Sequence, residues 1–167
     1  MYKSRLLIAA LSAGLLLTAC RKTDLQKPTI TGDIQKEFAG SWKPLAWTSQ
    51  QQENNTVHNG SVHDENISAS VASDGLVLVY MKDAKSITAL PVEDKADGQV
   101  SFWYYQVSEG RLEIISDVNG IAKAPGNDVT FKYFVVTPEQ LNQLEKDGHS
   151  KARLMDLSFE AARELLR

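Results

Sequence analysis

The sequence predicts a mainly β fold, an antiparallel β-sandwich or partly open barrel with one or two short C-terminal helices. Four apolar and aromatic runs of strand length, Leu76–Met81, Val100–Val107, Leu112–Ile115 and Val129–Val136, are separated by turn residues. The apolar spacing turns helical only after Thr137. The single cysteine, Cys20, lies far upstream of these runs, so no disulfide framework can replace packing. Residues 38–167 therefore read as one β-rich domain with a modest core.

Ahead of that domain, Lys3 and Arg5 precede an apolar run from Leu6 to Leu17, which is too short to span a bilayer. It closes on Leu17-Thr18-Ala19-Cys20. Small side chains at Thr18 and Ala19 suit a signal peptidase, and only a cysteine thiol accepts a thioether-linked diacylglycerol. Residues 1–19 thus read as a lipoprotein signal peptide, with Cys20 as the lipidated residue. Its freed amine would take a further acyl chain, and stable attachment needs more than one chain at about 0.8 kcal/mol per buried methylene. Arg21 and Lys22 follow, with no acidic residue at the second position to favour inner-membrane retention, so the expected location is the outer membrane, in either leaflet. Residues 20–37 are polar, contain Pro28 and Gly32, and read as a flexible tether.

Within the domain, Ser49–Asn55 is rich in Gln and Asn and reads as a loop. Asn59-Gly60 between Thr56-Val57-His58 and Ser61-Val62-His63 has the form of a tight hairpin turn. Leu76–Met81 is apolar on both faces, as a central strand would be. Ile87–Leu90 is a short strand ended by Pro91. Glu109-Gly110 turns the aromatic strand Val100–Val107 into Leu112–Ile115. In Val129–Val136, Val129, Phe131, Tyr133 and Val135 share one face, and Phe134 and Val136 the other. Thr137, Pro138 and Gln140 form a capping-box helix start, with Leu141 and Leu144 apolar and Gly148 ending it. Ser158 caps a second helix in which Leu165 and Leu166 face inward and Leu157 staples to Ala162. These helices are expected to cover a sheet edge or an open end.

The chain has 18 Lys and Arg against 21 Asp and Glu. Losing Lys3 and Arg5 with the signal leaves 16 against 21, the wrong bias for a nucleic-acid partner. No Gly-x-Ser-x-Gly elbow, phosphate loop or complete calcium loop occurs, although Asp117-Val118-Asn119-Gly120 begins like one. No catalytic residue and no cofactor is assigned. His58 and His63 are weak candidates for a metal, with Asp64 or Glu65 as oxygen ligands, because their odd spacing separates them on an extended strand. Asp74, Asp83, Asp94, Asp97, Glu109 and Asp117 fall mostly in turns. Trp42, Trp47, Trp103 and Tyr105 are the candidate partner or glycan surface, against the plainer reading that large rings fill a small core.

The same residues resemble, in order, a set of uncharacterised small lipoproteins from Bacteroidetes. The similar features are Trp42-x-x-x-x-Trp47, Gly75–Tyr80, Leu90-Pro91, Phe102–Gly110, Phe131–Pro138 and Leu157-Ser158-Phe159-Glu160. Thr137 stands where isoleucine is more usual, and a helix replaces a Pro-Gly continuation. The resemblance implies an all-β domain exported on a lipid anchor and brings no catalytic residues with it. The expected function is a non-enzymatic binding or scaffolding module of the cell envelope, held to the membrane and engaging another envelope protein or a surface polymer. An enzyme processing envelope glycans or peptides, or a small-ligand carrier, is the alternative.

Overall fold

The computed structural model describes residues 42–96 and 98–167. Leu17, Thr18, Ala19, Cys20, the tether and Asp97 lie outside the described residues. The chain runs β1 (Trp47–Gln52), β2 (Asn55–His63), α1 (Ala69–Asp74), β3 (Leu76–Lys82), β4 (Ile87–Ala89) and β5 (Val92–Ala96). It continues through β6 (Gln99–Ser108), β7 (Arg111–Asn119), β8 (Thr130–Val136), α2 (Pro138–Lys146), α3 (Lys151–Met155) and α4 (Phe159–Leu165). The strands form two antiparallel sheets, β1-β2-β7-β6-β5 and β4-β3-β8, with no closed barrel.

β3 is buried from Leu76 to Met81 because both of its faces are covered. Val77, Val79 and Met81 meet the five-stranded sheet together with Phe131 and Tyr133 of β8. Leu76, Leu78 and Tyr80, with Phe134 and Val136, form a second core against Leu141, Leu144, Leu154, Phe159 and Ala162 of the helices. The result is three layers: five strands, three strands, helices. The helices therefore cover a sheet face, where the sequence predicts an edge or an end. A face offers far more apolar area than an edge, and the three-stranded sheet has a second apolar face to bury.

Two segments cross between the sheets. Lys43 exchanges backbone hydrogen bonds with Phe131 on β8 (3.3 and 3.0 Å), after which Leu45 and Trp47 pack into the core and the chain enters β1. On the opposite side, buried Leu90 links β4 to β5. One end of the sandwich is plugged by Ile67 and Val71, held where Gly110 N–H donates to the Ile67 carbonyl (2.7 Å).

The capping box at Thr137 and Gln140 forms as the sequence predicts. Gly148, at φ +92°, ends α2 in a Schellman turn, the His149 N–H reaching the Leu144 carbonyl (2.9 Å). The β6–β7 hairpin turns at Glu109-Gly110, with Gly110 at φ +70°.

Asn59-Gly60 is not a turn. β2 continues through it, pairing Gly60 with Trp47 on one side and Ile114 on the other. The chain reverses earlier, at Glu53-Asn54, and Ser49–Gln52, read as loop, is the outer part of β1. Glycine at 60 serves a close approach: an added Cβ would lie 2.9 Å from Leu45 Cδ1, 3.0 Å from Leu45 Cβ and 3.1 Å from Trp47 Cε3. Gly60→Asn separates the two readings. A hairpin turn tolerates asparagine, whereas here it overpacks the sheet interface and is expected to cost about 1–3 kcal/mol in urea unfolding. A loss below about 0.5 kcal/mol would restore the turn reading.

Candidate functional site

Strand parity decides which side chains meet. On the five-stranded sheet, Thr56, His58, Gly60 and Val62 of β2 point inward, as do Leu112, Ile114, Ser116 and Val118 of β7 and Trp103 and Tyr105 of β6. Val57, Asn59, Ile115, Asp117, Phe102 and Tyr104 take the outer face.

The four aromatic candidates do not share one surface. Trp103 is 7% exposed, lies 6.0 Å from both Trp47 and Phe131, and donates from its indole nitrogen to Ser101 (3.0 Å). Trp47 is half-buried beside the same rings. Tyr105 donates its hydroxyl to the Val77 carbonyl (2.7 Å), and burial pushes its phenol above the ordinary value. Trp42 lies on the helical side, 5.1 Å from Phe159, with the ammonium groups of Lys132 and Lys82 5.6 and 5.8 Å from its ring.

The outer face of β6 carries two rings two residues apart, exposed Phe102 and half-buried Tyr104. Phe102 is 47% exposed and sits 5.5 Å from Tyr104 at an interplanar angle of 31°. Cross-strand pairing runs Gln50, Val57, Asp117, Phe102 and Glu93 in one row, and Thr48, Asn59, Ile115 and Tyr104 in the next. An apolar strip is thus framed by amides and carboxylates. Asp117 is held there by the Asn55 amide (3.0 Å). The alternation of Val100–Val107 contained this face, but apolar residues on both sides of the strand hid which side was free.

A second grouping lies inside, at the end of the sandwich opposite Ile67. His58 pairs across the strands with Ser49 and Ser116, and Ser116 with Trp103. The Ser49 hydroxyl and His58 Nδ1 are 2.8 Å apart. His58 and Ser116 are fully buried, and His58 Nε2 and Ser116 Oγ have no hydrogen-bond partner. Burial lowers the His58 pKa, so the ring is neutral at pH 7. Its neighbour behind Nδ1 is a hydroxyl; no carboxylate hydrogen-bonds the ring among the described residues. Serine and histidine are therefore close without the acid that orients a catalytic base.

His63 lies on the outer face of β2, on the opposite side from His58, so no loop brings the two imidazoles together. Among the described residues no group of three or more His, Cys, Asp or Glu is placed to hold a metal ion. Asp64 instead accepts the Tyr133 hydroxyl (2.7 Å) and the Asn66 backbone N–H (2.9 Å). Asp117–Asn119 is the end of β7. Among the described residues, no helix is long and apolar enough to cross a membrane. Scans against protein-family models, curated proteins and solved structures find no match to the chain.

Proposed function

We propose that the protein is a lipid-anchored, non-enzymatic binding module of the cell envelope that presents the outer face of its five-stranded sheet to a neutral surface glycan. The observation that carries this is the Phe102–Tyr104 pair, with Phe102 47% exposed on a β-face. The paired rings match the apolar C–H faces of sugars; Asp117 and Glu93 flank Phe102 on the neighbouring strands, and Asn59 and Gln50 lie farther along the same face, with groups that bond hydroxyls. The carboxylates on this face disfavour a polyanion. Attachment rests on Cys20 and the small residues before it, and the ordered resemblance to exported Bacteroidetes lipoproteins supports the same placement.

Affinity electrophoresis of the full-length chain through gels containing neutral polysaccharides tests the binding. Retardation by at least one glycan is expected, reduced about tenfold in apparent affinity by Phe102→Ala, while stability falls by no more than about 1 kcal/mol. No retardation in any gel, or equal retardation of Phe102→Ala, would discard the glycan. A protein crosslinked to this face would replace it. Protease shaving of intact cells, compared with a Cys20→Ala strain, tests the anchor: wild type stays in the membrane fraction through its lipid, and the variant carries none.

A further inference from the structure

The end of the sandwich opposite Ile67 holds a cleft of about 470 Å³ between the inner faces of β2, β6 and β7 and the loop 121–129. Its base is polar. His58 and Ser116 line it, both fully buried, each with a polar atom that nothing in the protein satisfies. A buried hydroxyl or imidazole nitrogen without a partner costs about 1–3 kcal/mol, so two side by side on adjacent strands are poorly explained by folding alone. The remaining wall is largely apolar, with Trp103, Val118 and Val129 among its residues. Lys123 is the one charged side chain among the described lining residues.

We propose that this cleft is a binding site for small organic carboxylates, whose apolar body lies against Trp103, Val118 and Val129 and whose carboxylate accepts from His58 and Ser116. In the tautomer this binding requires, the Ser49 hydroxyl donates to Nδ1 and His58 carries its proton on Nε2; the Ser116 hydroxyl supplies a second donor. Lys123 adds the only formal charge among the described lining residues, and it is positive. A carboxylate thus relieves both unpartnered atoms, whereas an ammonium would meet the like charge of Lys123 and, in this tautomer, could bond Ser116 Oγ but not His58 Nε2. The site is on the inner face and independent of the Phe102–Tyr104 surface.

The test uses the full-length chain in lipid nanodiscs and saturation-transfer NMR, with empty nanodiscs subtracted. The probes are 3-phenylpropanoate, 3-phenylpropanamide and 3-phenylpropylammonium. Transfer is expected to the carboxylate, more weakly to the amide and not to the ammonium. Ser116→Ala is expected to weaken the carboxylate about tenfold, the worth of one charge-assisted hydrogen bond. Val129→Trp, which fills the apolar wall, is expected to abolish it and carries the test if the Ser116 variant fails to fold. No transfer to the carboxylate, equal transfer to all three probes, or transfer unchanged in both variants would overturn the site. So would transfer lost in Phe102→Ala and retained in Ser116→Ala, which would place the probe on the outer face.

Discussion

Phe159→Ala is expected to remove about 3–5 kcal/mol of stability, a large part of the total for a domain of this size. Phe159 is the first residue of α4, positioned because the Ser158 hydroxyl accepts the Ala161 N–H (3.3 Å) and starts the helix there. Its ring lies 5.1 Å from Trp42, 5.4 Å from Tyr80 and 5.8 Å from Phe134, so one side chain joins the N-terminal segment, the central strand, β8 and the helical layer. The ammonium of Lys132 and the guanidinium of Arg163 lie 5.7 and 5.8 Å from the same ring. Just before α4, Tyr80 donates to the Leu157 carbonyl (3.1 Å), and Ala162 of the helix packs into the same core. Truncation leaves a cavity that four separate segments would have to close together, which puts the cost toward the upper end of the range. Urea unfolding monitored by tryptophan fluorescence gives the value. A loss below about 1 kcal/mol would mean that the helical layer is dispensable to the β-sandwich.

What the sequence made legible follows burial. β3 and β8 announce themselves because both faces are covered, so all their positions but Lys82, Thr130 and Lys132 are apolar or aromatic. β1 and β5 are the edges of the five-stranded sheet. β1 is exposed beyond Trp47 and β5 carries Glu93, Asp94 and Lys95, so neither shows the apolar alternation that marks a strand. α1 and α3 are six and five residues long, below the length at which a helical period can be read. Asn59-Gly60 misleads for a different reason. The pair suits a tight turn locally, but the crossing of Leu45 and Trp47 over Gly60 demands a residue without a side chain, and nothing in the local sequence records a contact made across the sandwich.

The sites divide in the same way. Parity within Val100–Val107 correctly puts Trp103 and Tyr105 opposite Phe102 and Tyr104, yet only the two-sheet packing selects the first pair for the interior. His58 is legible as a histidine on a β-strand; its isolation from His63 follows once β2 is seen to be continuous. Ser116 carried no signal at all. A serine within Leu112–Val118 looks like an ordinary outward residue until register sets it between His58 and Trp103.

Asp64→Ala is expected to cost about 2–4 kcal/mol, because it removes the carboxylate that accepts from the buried Tyr133 hydroxyl and opens the turn that leads to Ile67. Asp64 is 8% exposed and accepts from the Tyr133 hydroxyl and from both nitrogens of Asn66. Burial alone would raise its pKa. The Asn66 N–H, the Tyr133 hydroxyl, the Asn66 amide and the nearby His63 outweigh that and hold the carboxyl below its ordinary value. Burial, then the same carboxylate, push the Tyr133 phenol well above its own ordinary value. Since the folded state binds the Asp64 proton less tightly than the unfolded chain, its contribution is complete above the unfolded pKa of about 3.9 and disappears as pH falls through the lower folded value. Asp64→Asn keeps an acceptor for Tyr133 and loses the charge, at a cost of about 1–2 kcal/mol at pH 7. The gap between wild type and Asp64→Asn is therefore expected to stay constant from pH 7 to pH 5 and to shrink below about pH 4. His58 also loses stability on acidification, between its ordinary pKa of about 6.5 and its lowered folded one, but both proteins carry it and the difference cancels. Urea midpoints measured across this range isolate Asp64; a gap that stays constant below about pH 4 would mean that the charge of the carboxylate contributes nothing to the fold.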